Sequence, residues 1–197
     1  MEFRTVLTIV ASSLVFIGYA PYIRDTLKGK TKPHAYSWLI GVIVTAISAA
    51  GQVYGHAGIA TLVLVFVTLL TLVILILSFK YGVWRGTRLD KICLAFCLLA
   101  LPLWAVSKNP LMTVILVNII DAVGFIPTIA KAHKYPYSET MFSYQMNVIR
   151  FALVILAVSH YTLINLMYPV TWFVCNSVFV VLISSRRKQG KGMEFAG

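Results

Sequence analysis

The chain has 197 residues, 59% of them hydrophobic and only 12% charged, against roughly 45–50% and about 25% in an ordinary soluble domain. A water-soluble core cannot absorb that much apolar surface, which excludes a soluble globular protein. The formal charge of +11 would suit a nucleic-acid binder, but the cations sit in short breaks between apolar runs, where they orient helices and touch anionic headgroups. The expected surroundings are a lipid bilayer, and no nucleic-acid partner is expected.

A bilayer-spanning helix needs roughly 20 mainly apolar residues, and such runs fill the chain almost end to end. The first covers 6–27. Its stretch 5–20 has the look of a secretory signal, but only Arg4 precedes it, balanced by Glu2, and Pro21 follows, so an uncleaved first helix is expected. The second and third runs cover 36–54 and 57–79. The fourth, 92–106, is short and holds Pro102; Arg85, Arg88 and Lys91 before it and the Lys108-Asn109-Pro110 turn after it support it as a span. The last three cover 111–130, 140–158 and 162–184, followed by a basic tail whose final stretch, 190–197, reads as flexible. No lipidation motif is apparent.

Cytoplasmic loops hold the excess of Lys and Arg, and here the breaks alternate. Arg24, Lys28, Lys30, Lys32, Lys80, Arg85, Arg88, Lys91, Lys131, Lys134, Arg186, Arg187, Lys188 and Lys191 fall on one side; Arg4 and Lys108 fall on the other, and Arg150 lies within a span. The predicted topology has the N-terminus outside and the C-terminus in the cytoplasm, in a plasma or inner membrane.

The chain also matches itself at an offset of 106 residues: Gly18, Pro21, Ile23, Lys28 and Ser37 recur as Gly124, Pro127, Ile129, Lys134 and Ser143. Aromatic character recurs at Tyr19 and Phe125, Tyr36 and Phe142, and Trp38 and Tyr144. An odd helix lies between the copies, so both cross in the same direction, as in transporters built from parallel repeats. The expected fold is therefore an all-α integral membrane protein of seven transmembrane helices, two three-helix bundles joined by one inversion helix. Its expected units are a first repeat over 1–80, a linker and inversion helix over 81–109, a second repeat over 110–185 and a tail over 186–197.

The repeated element, Gly18-Tyr19-Ala20-Pro21 with Ser37-Trp38 and Gly124-Phe125-Ile126-Pro127 with Ser143-Tyr144, resembles the PQ-loop and SWEET superfamily. The signature Pro-Gln pair is Pro21-Tyr22 and Pro127-Thr128 here, so the proline carries over and the glutamine does not. The resemblance implies two triple-helix bundles around a central cavity opened alternately to each side, with proline-kinked first helices as hinges. Members carry sugars, amino acids or vitamins; others, such as the KDEL receptor, keep the fold and bind protein cargo.

Pro21 and Pro127 are candidate hinges, with helix termination as the alternative. Within the membrane interior, Asn118 and Asp121 share one face of the fifth helix, and Asn147 and Arg150 share one face of the sixth. A charge at that depth is costly unless paired or wetted, so these four are candidate cavity residues, with a purely structural Asp121–Arg150 lock as the alternative. Trp172 and Asn176 of the seventh helix are expected to add a stacking surface and a polar contact. Trp38 and Tyr144 also suit interfacial aromatics. His56 and His160 are expected in solvent-facing turns, His34 and His133 in loops, and Cys93, Cys97 and Cys175 as apolar packing residues.

No phosphate-cradling glycine loop, zinc pattern or nucleophile with a base at usable spacing is present in the sequence. No enzyme activity, cofactor or metal is expected. The leading expectation is a facilitator or proton-coupled carrier for a small polar metabolite. A receptor using the same cavity without a transport cycle, and a membrane-embedded assembly protein, are the competing readings.

Overall fold

Long apolar runs separated by glycine, proline and capping residues give seven α-helices in the computed structural model, which describes residues 3–54, 59–106, 110–158 and 160–189. They are α1 (Phe3–Leu27), α2 (Ala35–Tyr54), α3 (Ile59–Tyr81), α4 (Arg88–Val106), α5 (Pro110–Lys134), α6 (Met141–Ala157) and α7 (Leu163–Lys188), with a 3-10 turn at Pro136–Ser138. His56, the start of the third expected span, the Lys108-Asn109 part of the turn and the tail 190–197 lie outside the described residues.

Helix ends differ from the apolar runs where local chemistry extends the helix past the hydrophobic stretch. Helix α4 starts at Arg88 because Thr87 caps it: Asp90 accepts from the Thr87 backbone N–H at 2.6 Å and from its hydroxyl at 2.8 Å, while the Asp90 N–H donates back to Thr87 at 3.3 Å. Helices α5 and α7 run on through Lys131, His133 and Lys134 and through Arg186, Arg187 and Lys188, cations that favour the negative end of the helix dipole. Helix α1 ends where Gly29 takes φ +70, a conformation open to glycine at little cost. Its 29–31 amides fold back onto the last turn, with Gly29 donating to the Thr26 carbonyl at 2.9 Å.

Four stretches, Thr5–Leu27, Leu64–Tyr81, Ile115–Lys134 and Asn165–Lys188, are long and apolar enough to cross a bilayer, and Ala35–Ala49 and Met141–Ala157 are shorter apolar helices. Ile9, Phe66, Ile76, Leu99, Val178 and Val181 point outward. An outer surface of that kind suits lipid, which also demands that helices satisfy their own backbone groups.

Helix α1 packs on α6 and α3, α2 on α3 and α5, and α7 on α5 and α6. Followed from neighbour to neighbour, these contacts run α1, α3, α2, α5, α7, α6 and back to α1, while α4 lies against α5 and, less extensively, α2. The larger core fills the ring with Tyr22, Ile74, Phe125, Ala132, Tyr144, Phe179 and Ile183; a smaller one joins Ile40 and Val44 of α2 to Cys97 of α4 and Ile120 of α5. The cysteines pack as expected: Cys93 and Cys97 are buried, Cys175 is half-buried, and all three are free thiols.

Among the described residues, three helical glycines face a neighbouring helix, including Gly41 of α2, where a Cβ would lie 3.5 Å from Thr71 Cγ2 of α3. A Cβ on Gly124 would lie 2.6 Å from Ile40 Cγ2, so α5 meets α2 at a point where only hydrogen fits. Gly18 faces α6 less tightly, with the Met146 Cβ and the Ser143 carbonyl each 3.6 Å from where its Cβ would be. Pro21 and Pro127 lie inside helices that continue to Leu27 and Lys134, so the helix-terminator alternative is excluded for both.

Candidate functional site

Of the polar residues of the second half, Asp121, Arg150 and Asn176 lie against one aromatic group. Asn118 and Asp121 of α5 and Asn176 of α7 are buried, and Asn147 and Arg150 of α6 are half-buried. Asn176 turns its amide onto its own helix, Nδ2 donating to the Trp172 carbonyl at 2.7 Å, so one of its donors is committed locally. Trp172 stacks on Phe151 with centroids 6.5 Å apart and meets Phe125 at 5.6 Å and Tyr168 at 6.4 Å. Its indole N–H is buried without a hydrogen bond in good geometry, although it interacts with the Asp121 carboxylate beyond that geometry.

Asp121 and Arg150 do not form the ion pair that a structural lock between them would require. The ion pairs of the described residues lie elsewhere, and the Arg150 guanidinium instead sits over the Phe151 ring, 4.8 Å from its centroid. A cation over an aromatic face recovers part of what a carboxylate would give. Both charges remain within electrostatic range of the Tyr168 hydroxyl, so they flank one region without neutralising each other.

Toward the end of the bundle that carries the basic breaks, rings from five helices close the interior. Phe125, Tyr144 and Phe179 meet at 4.4–6.1 Å, Tyr22 meets Tyr144 at 6.4 Å and Trp38 at 5.2 Å, and Tyr19 meets Trp38 at 6.3 Å. Trp38 and Tyr144 are thus interior residues and not interfacial anchors; Tyr144 is buried and Trp38 Nε1 donates to the Tyr22 hydroxyl at 3.3 Å.

Beneath the rings lies a buried network that the sequence reading missed. Glu139 Oε2 accepts from the Tyr22 hydroxyl at 3.0 Å and from the Tyr144 hydroxyl at 2.9 Å, and its Oε1 pairs with Lys131 Nζ, which also donates to the Lys32 carbonyl. Thr140 donates to Asp25 at 3.2 Å and its hydroxyl meets that of Thr31. Arg187 clamps the 136–139 segment, Nη2 reaching the Pro136 and Glu139 carbonyls at 2.8 and 2.9 Å. Lys131 had counted only as an orienting cation. One signal was available: Glu139 is one of only six acidic residues and sits among cations at the mouth of an apolar helix.

His34 lies in a loop as expected, but it is buried, with Nε2 3.5 Å from Asp90 Oδ1. Burial pushes its pKa down to about 4, Asp90 opposing the shift and Lys131 adding to it. The adjoining backbone pairs with the segment after α3, Ala35 N–H donating to the Val83 carbonyl at 2.9 Å and Val83 N–H to that of Pro33 at 2.8 Å. His133 is exposed but lies in the last turn of α5, not in a loop, and His160 is exposed as expected.

No family profile, curated protein or solved structure matches this chain.

Proposed function

We propose that this chain is a seven-helix transporter of the PQ-loop and SWEET type, carrying a small polar metabolite such as a sugar, amino acid or vitamin by alternating access between two three-helix bundles. The observation that carries the reading is a pair of matched seams. Gly18 of α1 faces Met146 of α6, and Gly124 of α5 faces Ile40 of α2; the glycines differ by 106 in number, and so do the residues they face. An internal repeat built as two like bundles meeting about a pseudo-two-fold axis produces that pairing, whereas helices packed without symmetry have no reason to repeat it. In this reading α1, α3 and α2 form one bundle, α5, α7 and α6 the other, and α4 is the inversion helix.

The basic end then faces the cytoplasm, with the N-terminus outside and the C-terminus inside a plasma or inner membrane. A substrate entering from the opposite face meets Asn118, Asp121, Asn147, Arg150, Trp172 and Asn176 near mid-depth, above the aromatic floor. Release to the basic side requires the bonds across the seam to part, Tyr22 from Glu139 and the Lys32 carbonyl from Lys131, with Pro21 and Pro127 as the hinges. Counterflow in proteoliposomes across a panel of small polar metabolites tests the proposal: accumulation of at least one labelled solute against its unlabelled pool is expected. The buried Lys131–Glu139 pair is costly to expose and favours a second reading, a binder or cargo receptor fixed with this end closed. Saturable binding with no counterflow by any bound solute would establish that reading instead.

A further inference from the structure

The geometry points to a binding site for one anionic glycerophospholipid on the outer face of the bundle, in the groove between α1 and α3. The groove is a cavity of about 570 Å³ whose wall is almost entirely apolar, from Phe16, Ala20, Ile23 and Leu27 of α1 and Phe66 and Leu70 of α3, and Arg24 and Lys28 stand at its basic end. Phe16 and Phe66 close its far end with centroids 5.0 Å apart. Its floor is pinned where the Tyr19 hydroxyl reaches Thr71 Oγ1 at 3.5 Å. Four residues after Leu70, Ile74 of α3 lies in the central core.

Dimensions and charge select the occupant. From Phe16 to Lys28 the helix rises about 18 Å at 1.5 Å per residue, close to the roughly 15 Å of one hydrocarbon leaflet, so an acyl chain lying in the groove brings its headgroup to Arg24 and Lys28. The Arg24 side chain is 63% exposed, and it spends Nε and Nη2 on Asp25 Oδ1, each at 3.0 Å; the rest of the guanidinium faces outward beside Lys28. The Asp25 carboxylate opposes an anion, but its Oδ2 is held by the Thr140 hydroxyl at 3.2 Å. Two positive charges, less the Asp25 carboxylate paired with Arg24 and the roughly half negative charge at a helix C-terminus, leave a small net positive charge of about half a unit at the mouth, carried by Lys28. A zwitterionic lipid fills the same groove but gains less from the cations.

Native mass spectrometry of the full chain in detergent, titrated with phosphatidylglycerol or phosphatidylcholine of matched chains, tests the site. One retained phosphatidylglycerol is expected, preferred over phosphatidylcholine by up to about fivefold, the worth of the one cation, Lys28, that no carboxylate offsets. Arg24→Gln with Lys28→Gln should abolish the preference and leave weak retention of both lipids. Arg85→Gln with Lys91→Gln, an equal charge change at exposed positions away from the groove, should leave it intact. Ala20→Trp, which fills an exposed part of the groove, should displace both lipids while circular dichroism shows unchanged helix content. Equal retention of the two lipids by the unaltered chain, loss of preference in the Arg85/Lys91 control, or undiminished binding in Ala20→Trp would each overturn the proposal. None of these outcomes bears on whether the interior site transports a solute.

Discussion

Glu139 is buried, so its charge rests on three side chains, Lys131, Tyr22 and Tyr144. Removing one member of a buried pair strands the other, typically at about 3–5 kcal/mol, whereas replacing both by apolar groups is often near neutral. Lys131→Met and Glu139→Leu should each lower the thermal unfolding midpoint in detergent by far more than the double substitution does. Additive losses would show that the two charges act independently. His34 gives a second residue-scale prediction. Its folded pKa of about 4 lies below the ordinary 6.5, so the unfolded chain binds more protons between those values and stability must fall as pH drops from about 6.5 toward 4. His34→Gln should flatten thermal stability measured from about pH 7 to about pH 4; an unchanged slope would place the titration elsewhere.

At the scale of the helices, the two seams are alike in position and unlike in tightness. Gly124→Ala forces a Cβ to within 2.6 Å of Ile40 Cγ2, an overpacking that typically costs about 1–3 kcal/mol. Gly18→Ala places its Cβ at an ordinary 3.6 Å and gains up to about 1 kcal/mol of helix propensity. The first should be destabilising and the second neutral or stabilising in thermal unfolding. Ile40→Ala should partly rescue Gly124→Ala, since it removes the atom in the way. Equal effects at the two glycines would mean that the α2–α5 contact relaxes freely. The sequence placed both glycines in register, because an offset match is visible letter by letter. It carried no sign of which seam is tighter, because that depends on the side chain the facing helix presents.

For the whole molecule, the alternation of basic breaks predicts orientation. A C-terminal alkaline phosphatase fusion expressed in bacteria should be inactive, and a C-terminal fluorescent fusion bright, because the Arg186, Arg187 and Lys188 end of α7 belongs to the side richest in cations. An active phosphatase would reverse the topology and with it the direction in which the aromatic floor closes. The same basic end carries the Glu139 network and the Arg24–Lys28 mouth of the outer groove, so orientation decides which compartment each of them meets.

What the sequence determined by itself was the set of helices, their approximate limits and some of the polar residues buried between them, because hydropathy and turn chemistry are properties of neighbouring residues. It located Asn118, Asp121 and Asn176 as interior polar groups, and all three are buried. It left open whether Asp121 pairs with Arg150, since equal depth on two helices does not fix which way the side chains turn, and Arg150 turns to Phe151. Only the tertiary structure joined Tyr22 to Glu139 across 117 residues of chain, buried His34 against Asp90 and opened the groove between α1 and α3. Each of these depends on which helix faces which, and hydrophobic attraction, being non-directional, leaves that to the side chains that meet at the interfaces.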